Sequence, residues 1–483
     1  MPVREFLMEE STPLISNSSS FEHGKYETEL KHHETKDDTD DIVTFKGNLL
    51  KTEVVEYEIF TASGNHMVTK PEEISTGTTN TECLMHLLKC MIGTGVMGLP
   101  MAYKNGGLWM GLAVVTLMGI ICTHCMHILV QSENELCART KIKGLDYANV
   151  MSTACATRND WLKNWSKSSE NLVNTLLVIT QLGICCTYIV FITDNMKQVL
   201  ETAGLTVLDS RVYVVIITAL IVPLVMVKKL KTLAPFSAFA NVLNFIGFLV
   251  ILVNLFQDLP DTRERPAVAD IETIPLFFAQ ALFAFEAIGM VLPLHMKMID
   301  KPAFLGKAGV LNLGLTITVA LYNAVGFYGY LKFGEDTQPS ITVNLPSDDW
   351  LYLSVKVVFS VSVYITYPLQ FYVPVTILWS IIENKAKENG KMVPKHSDYL
   401  FRFSLVLLTC GLSALIPHLD LLIALIGAFA GTFLAIILPA VIELLTFQCR
   451  LQVWIKNGLI IFVGLTGFTT GTYTSILEIS RTF

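Results

Sequence analysis

Residues 86–100 read HLLKCMIGTGVMGLP, an apolar run that three glycines interrupt. Gly93, Gly95 and Gly98 lie close together, and Pro100 follows them. Glycine weakens a helix, and proline removes one of its backbone donors. Backbone N–H and C=O groups at such an interruption have no partner within the helix. The pattern therefore predicts an apolar helix that is broken near its centre.

Residues 283–293 form a second interrupted segment, FAFEAIGMVLP. Glu286 puts a carboxylate in the middle of an apolar run, and Gly289 and Pro293 follow it. A carboxylate surrounded by hydrocarbon is costly and is usually functional. The alternative is a structural hydrogen bond in which Glu286 bridges the broken helix without titrating.

The composition indicates a membrane protein with an acidic tail. Hydrophobic residues make up 52% of the 483 residues and charged residues 16%, against about 25% charged residues in an ordinary soluble domain. Residues 1–82 hold 7 Lys and Arg against 17 Asp and Glu, and the rest of the chain holds 28 against 25. This distribution excludes a soluble enzyme, a nucleic-acid binder and a fibrous protein.

The predicted fold is an all-α membrane protein, because helices of about 20 apolar residues span a bilayer. Residues 1–82 are expected to form a disordered acidic cytosolic tail, and residues 83–480 a transmembrane transporter domain. Lys356, near the start of the eighth span, is expected to snorkel to the interface. Eleven spans are predicted, at about 84–102, 107–130, 170–196, 211–227, 233–256, 275–295, 308–331, 351–382, 400–417, 420–446 and 457–479.

The distribution of Lys and Arg predicts how the chain is oriented in the membrane, and a motif in the N-terminal tail predicts which cellular membrane holds it. Nineteen Lys and Arg residues fall in loops on the side of the N-terminus and seven on the other side, which makes the N-terminus cytosolic and the C-terminus lumenal or extracellular. Glu10, Leu14 and Ile15 match an acidic-dileucine sorting signal. We therefore expect a lysosomal or endosomal membrane, with the plasma membrane as the alternative.

The two interrupted segments are the first and the sixth spans, which correspond if spans 1–5 and 6–10 are two halves of a repeat. Interrupted helices in corresponding positions indicate the binding site of a secondary transporter. Half-helix N-termini favour a carboxylate, and freed carbonyls favour an ammonium. A zwitterionic amino acid fits both. The alternative is that the glycines only allow close helix packing.

The chain resembles the proton-coupled amino acid transporters, a solute carrier family 36-like branch of the amino acid/auxin permease group. This resemblance implies eleven spans, with the first ten in the inverted 5+5 arrangement of amino acid symporters. It also implies proton-driven import of small neutral amino acids such as proline, alanine and glycine. The segments that carry the resemblance are 86–89, 92–95, 98–100, 180–183, 194–195, 283–289, 344–346, 369–374 and 416–420.

The resemblance implies roles for residues at the two breaks. Gly93, Thr94 and Gly95 match the segment that holds the substrate carboxylate, and the second break supplies Phe285, Glu286, Ala287 and Gly289 as further substrate-binding residues. His86 matches a proton-linked histidine, and Glu286 is the second candidate for proton coupling. Alternatively, His86 makes only a hydrogen bond near the inner end of its span. The sequence departs from the family at His295, where many relatives have a glutamate.

The expected partners are small neutral amino acids, protons and the lipid bilayer, with sorting adaptors and nutrient-signalling proteins as candidates at the tail and no nucleic acid. No cofactor or metal is expected, because residues 122–127 lie on one helix and cannot close a metal site alone. Protons are the expected coupling ion, and sodium is not excluded. The alternatives are a pH-independent uniporter or exchanger, or an amino-acid sensor. No nucleophile–base or metal constellation is present, so an enzyme is not expected.

Overall fold

The computed structural model describes residues 59–60, 66–67, 77–205, 208–227, 230–390, 394, 396–448 and 450–482, with the backbone alone for 59–60, 66–67 and 230–238. The predicted sorting signal at Glu10, Leu14 and Ile15 and nearly all of the predicted disordered tail lie outside these residues. The chain divides into two units, Met1–Gly77 and Thr78–Phe483. In the first unit, strands β1 (Ile59–Phe60) and β2 (His66–Met67) pair antiparallel, with Phe60 opposite His66.

The second unit is built of helices. Two short 3₁₀ turns, Thr262–Glu264 and Gly334–Asp336, lie in its loops, and π-helical turns at Gly427–Gly431 and Phe433–Ile437 connect α17 to α18. The α-helices are α1 (Asn80–Met91), α2 (Thr94–Met97), α3 (Leu99–Gly106), α4 (Leu108–Thr140), α5 (Tyr147–Arg158), α6 (Asp160–Lys163), α7 (Ser166–Thr202), α8 (Ser210–Val225), α9 (Leu230–Leu255), α10 (Ile274–Ala284), α11 (Ile288–Lys297), α12 (Pro302–Leu305), α13 (Val310–Phe333), α14 (Ile341–Asn344), α15 (Trp350–Glu388), α16 (Ser397–Leu415), α17 (Leu419–Ile426), α18 (Leu438–Thr446) and α19 (Leu451–Arg481).

The helical membrane fold is confirmed. Among the described residues, eight helical segments are long and apolar enough to cross a bilayer, and α8 and the 239–255 part of α9 are shorter apolar helices. The first predicted span is divided among α1, α2 and α3, so no single piece of it reaches that length. Each of the eleven predicted spans contains a helix, but the count of eleven membrane crossings stays a prediction.

Helices α4, α7 and α15 extend beyond their predicted spans by several polar turns. Arg139 and Glu135 form an ion pair one turn apart at the end of α4, which favours continuation of the helix. The connection to α7 folds into α5 and α6, which the sequence analysis did not predict. Helix α5 packs on α7, and the hydroxyl of its Tyr147 donates to the carbonyl of Leu434, 2.6 Å away. The α5 segment therefore belongs to the packed helical unit.

The interrupted helices lie in the middle of the unit. Helix α13 packs against α1, α3 and α4, and α7 packs against α5, α8, α15 and α17. Helix α10 packs against α3, α17 and α19. The short helix α2, which follows the first break, contacts α3, α7, α10 and α13, so protein packs around this side of the break. Irregular backbone at membrane depth is tolerated only where protein or a polar cavity surrounds it.

Lys356 is buried, so the expectation that it snorkels to the interface is wrong. The side chain is 0% exposed, and its ammonium donates to Oε1 of Gln198 at 2.9 Å, the carbonyl of Leu345 at 2.9 Å and Oγ of Ser347 at 3.0 Å. An ammonium has three donors, and all three are satisfied. Lys356 thereby connects α15 to α7 and to the loop after α14.

We expect Lys356→Met to lower the free energy of unfolding by about 1–3 kcal/mol, because the buried carbonyl of Leu345 and the part-buried acceptors of Gln198 and Ser347 lose their donor. Thermal unfolding of the detergent-purified protein measures this change. Lys387→Met is the matched control, since Lys387 is exposed on the same helix. Equal unfolding temperatures for the two variants would contradict the assignment.

Candidate functional site

The first break lies between α1 and α2. The amide of Ile92 makes the last helical bond of α1, to the carbonyl of Leu88 at 2.8 Å. Gly93 is extended, with φ −135° and ψ −153°, and α2 begins at Thr94. The last carbonyls of α1 and the first amides of α2 therefore have no partner within their own helices. The predicted break is present, at Ile92 and Gly93.

The second break lies between α10 and α11. Helix α10 ends at Ala284 and α11 begins at Ile288. Phe285 and Ala287 both have ψ values near zero, and the amide of Ala287 bonds the carbonyl of Phe285 at 2.8 Å. Gly289 and Pro293 lie within α11 rather than at the break. The interruption is thus centred on Glu286.

The two breaks meet through the backbone of Gly95. A Cβ at this position would lie 2.8 Å from Cα of Ala284, the last residue of α10. Only a glycine allows backbones to approach this closely. A Cβ at Gly93, in contrast, would meet nothing within 4 Å among the described residues. The helix α2 is therefore pressed against the end of α10, while the break beside it faces open space.

Tyr322 of α13 connects the two breaks. Its hydroxyl lies 2.7 Å from the carbonyl of Met91, at the end of α1, and 2.5 Å from the carbonyl of Ala284, at the end of α10. The side chain is fully buried, and its ring packs on that of Phe285 with 5.0 Å between centroids. One phenol thus lies within hydrogen-bond distance of the carbonyls that end α1 and α10.

Glu286 lies between the second break and the π-helical turn of residues 427–431. A Cβ at Gly431 would collide with Oε2 of Glu286, so a larger residue there would displace the carboxyl group from its present position. That oxygen is buried and has no hydrogen-bond partner among the described residues. Thr180 of α7 lies beside the carboxyl group, and its hydroxyl is likewise unpartnered. Unpartnered polar atoms in a buried site indicate a place for a polar ligand, an ion or water.

Some of the other predicted site residues lie at the two breaks, and His86 does not. Thr94 and Ala287 are buried at the two breaks, and Gly289 is the second residue of α11, against Leu177. His86 is on the exposed face of α1, one turn after Glu82. The structure therefore gathers the glycine and Glu286 segments and leaves His86 apart from them.

His295 is buried at the C-terminal end of α11. Its Nδ1 lies 3.6 Å from Oε2 of Glu133 on α4, and both side chains are at most 5% exposed. The other oxygen of Glu133 accepts from Sγ of Cys137 at 3.1 Å, and the His295 ring packs on Phe304. His295 thus packs between the second half of the sixth span and α4.

Sequence reasoning missed Tyr322 and Gly431, since neither forms a local motif. Thr180 stood in a stretch that carries the family resemblance, but it had no assigned role. Tyr322 could have been noticed as a hydroxyl in the middle of an apolar span, where polar side chains usually bond across helices. Gly431 becomes recognisable only once its neighbour Glu286 is known.

The site therefore combines two broken membrane helices, close backbone contact and a buried carboxyl group, which is the arrangement of a membrane carrier. Residues 76–477 match the family described as "Transmembrane amino acid transporter protein", and the chain belongs to that family. Because the members of this family are transporters, the expectation that the chain is no enzyme is confirmed.

Two relatives extend this assignment. The "Proton-coupled amino acid transporter-like protein pathetic" of Drosophila melanogaster is 34% identical over 84% of this chain and 86% of its own length. The "Probable amino acid transporter skat-1" of Caenorhabditis elegans is 28% identical over 87% of this chain and 94% of its own. Both relatives align with most of the chain, so the suspected family is confirmed.

Among solved structures, MhsT in complex with L-phenylalanine covers 81% of this chain and 98% of its own, with 11% identity and a TM-score of 0.46. MHP1, a nucleobase-cation-symport-1 family transporter, covers 85% of this chain and 96% of its own, with 15% identity and a TM-score of 0.46. Similarity at this level carries no ligand or mechanism over to the present chain.

We expect Gly95→Ala to destabilise the protein by about 1–3 kcal/mol, because a methyl group forced between close backbones displaces them. Gly93→Ala should leave stability nearly unchanged, because its Cβ has room. Thermal unfolding of the purified variants tests the pair. Gly93→Phe fills the open space and should abolish amino acid uptake at wild-type surface expression.

Two results would contradict this account of the breaks. One is a Gly93→Ala variant that is as unstable as Gly95→Ala. The other is wild-type uptake by Gly93→Phe.

Proposed function

We propose that the chain is a secondary active transporter of small neutral amino acids that carries them toward the cytosol together with protons. The observation that carries this proposal is the pair of helix breaks, which meet where Gly95 touches Ala284 and which Tyr322 bridges. A site of this kind offers amides, carbonyls and a carboxyl group within one buried region. A zwitterion is the ligand that can use all three.

The substrate carboxylate is placed on the amides of Gly93, Thr94 and Gly95, where α2 begins. The amide of Gly93 donates to the carbonyl of Met91 at 3.1 Å, and in this proposal it gives up that bond to the carboxylate. Its ammonium is placed near the carbonyls that end α1 and α10, since an ammonium donates only. The side chain of the amino acid then has the space beside Gly93. Phe285 is fully buried and packs on Tyr322, so these two rings close one wall of the site. This wall supports a preference for small side chains such as those of glycine, alanine and proline.

Proton coupling is assigned first to Glu286. Its carboxyl group lies at the second break and has a buried oxygen that no described residue satisfies. Protonation would remove a charge from a region of low polarity and favour the loaded, closed carrier. The similarity to the proton-coupled amino acid transporter-like protein of Drosophila melanogaster supports coupling to protons. His86 is the second candidate, and sodium in place of the proton, or no coupling ion, is the competing mechanism.

The proposed topology has eleven spans, with the first ten as an inverted 5+5 repeat, a cytosolic N-terminus and a lumenal or extracellular C-terminus. Breaks in the first and sixth spans support the repeat, because they occupy corresponding positions in the two halves. The excess of Lys and Arg in the loops on the side of the N-terminus supports the orientation. We assign the carrier to lysosomal or endosomal membranes on the acidic-dileucine signal at Glu10, Leu14 and Ile15.

Labelled proline and alanine uptake without sodium tests the function. Wild-type uptake is expected to be several-fold faster at external pH 5.5 than at pH 7.4, because the acidic side loads the proton. Glu286→Gln cannot bind or release a proton and should take up substrate equally at both pH values. His86→Gln should retain the wild-type ratio, since His86 is exposed and lies away from both breaks.

Equal wild-type uptake at the two pH values would remove the proton from the mechanism and keep the carrier. A full pH ratio in Glu286→Gln would contradict the role of that residue. Uptake of no neutral amino acid at confirmed surface expression would contradict the transport function and favour the sensor.

The sorting signal is tested by the double variant Leu14→Ala/Ile15→Ala. We expect the variant to move from lysosomal or endosomal membranes to the cell surface, because adaptors no longer recognise the tail. Surface biotinylation measures the change. Leu49→Ala/Leu50→Ala is the matched control, since this pair has no acidic residue four positions before it. An unchanged distribution of the Leu14/Ile15 variant would contradict the assignment.

A further inference from the structure

Tyr322 presents one hydroxyl proton to two carbonyl oxygens. The carbonyls of Met91 and Ala284 lie 2.7 and 2.5 Å from the same phenol oxygen. A phenol has a single donor, so it can fully satisfy only one of the two at a time. Both carbonyls end a helix at a break, where the next helical turn is missing. The carbonyl of Met91 also accepts from the amide of Gly93 at 3.1 Å.

An ammonium group would satisfy these carbonyls better than the phenol does. It carries three donors in place of one and adds a positive charge, which strengthens each hydrogen bond. Its binding would release the phenol from at least one carbonyl. The carbonyls that end α1 and α10 are also those beside which the proposed function places the substrate ammonium.

We propose that Tyr322 is an internal substitute for the substrate ammonium. In the empty carrier its hydroxyl holds the ends of α1 and α10 together, and in the loaded carrier the ammonium takes over these carbonyls. Tyr322 is thus a positioning residue of the empty state. This inference rests on the proposed function, because it requires an ammonium-bearing substrate at the breaks.

The return of the empty carrier and the return of the loaded carrier depend differently on such a residue. A carrier that performs net uptake must return empty across the membrane, with the breaks closed and their carbonyls buried. A carrier that exchanges one substrate molecule for another returns loaded, with the ammonium in place. Loss of the hydroxyl therefore slows the empty return and leaves the loaded return unchanged.

The test compares net uptake with exchange in proteoliposomes that contain purified Tyr322→Phe. Net uptake is measured as labelled proline or alanine entering empty vesicles under an inward proton gradient. Exchange is measured as the same entry into vesicles preloaded with the unlabelled amino acid. We expect net uptake to fall on the order of tenfold, which corresponds to about 1.4 kcal/mol in the barrier. Exchange should stay within about twofold of the wild type.

Tyr330→Phe is the matched control. Tyr330 is fully buried on the same helix, and its hydroxyl has no hydrogen-bond partner among the described residues. Its loss should change neither net uptake nor exchange. The control separates the specific hydroxyl at the breaks from any general effect of removing a phenol from α13.

A second readout is the unfolding temperature with and without substrate. The empty Tyr322→Phe protein should unfold at a lower temperature than the wild type, and saturating amino acid should restore most of the difference. Equal losses of net uptake and exchange would overturn the proposal, because the hydroxyl would then serve the loaded carrier as well. Unchanged net uptake, or a variant that does not assemble in the membrane, would also overturn it.

These outcomes are distinguishable from a failure of the proposed function. If the wild-type protein shows neither net uptake nor exchange of any neutral amino acid, the transport function fails. If the wild-type protein transports and Tyr322→Phe does not separate the two activities, only the role of Tyr322 fails.

Discussion

The structure depends on the contact between Gly95 and Ala284, where two interrupted helices meet backbone to backbone. A side chain at position 95 would separate them. The contact places the end of α10 against the first turn of α2, so that the two breaks form one site. Interior packing is dense and changes little without strain. Backbone that is irregular at membrane depth therefore becomes acceptable, because neighbouring protein surrounds it.

The surrounding helices hold this contact in place through specific long-range interactions. Tyr322 reaches both breaks from α13, and Gly431 on the π-helical turn leaves room for the carboxyl group of Glu286. At one end of the unit, Lys356 connects α15 to α7. In the sixth span, His295 packs against Glu133 of α4. Each interaction joins elements that are far apart in sequence, which is how a polar site is kept ordered inside an apolar bundle.

The sequence predicts those features of the broken helices that depend only on residues close together in the chain. Apolar runs of sufficient length predict the helical membrane fold, and clustered glycines predict the break at Gly93. The break in the sixth span is also predicted, from Glu286, Gly289 and Pro293 together. The interruption lies at the carboxylate itself, however, and Gly289 and Pro293 continue as helix. Proline within a membrane helix is tolerated when neighbours compensate, and the sequence does not show these neighbours.

The remaining features depend on which helices become neighbours, and one sequence does not give that information. Lys356 lies near a span end, where snorkelling is the usual outcome, yet three acceptors from other segments enclose it. Tyr322 occupies an ordinary apolar span, and its role follows only from the two helix ends beside it. His86 matches a family position but lies on the exposed face of α1. Residue type therefore identifies which side chains are candidates for a functional role. The packing of the helices determines which other residues each of them contacts.

The central claim is that an amino acid binds between the two breaks. The most direct test is a single-particle structure of the purified protein in a lipid nanodisc with saturating proline or alanine. The account predicts density for the amino acid between residues 92–95 and 284–287, with its carboxylate toward the amides of Gly93 to Gly95. Ordered substrate density elsewhere in the bundle, with the breaks empty, would contradict it.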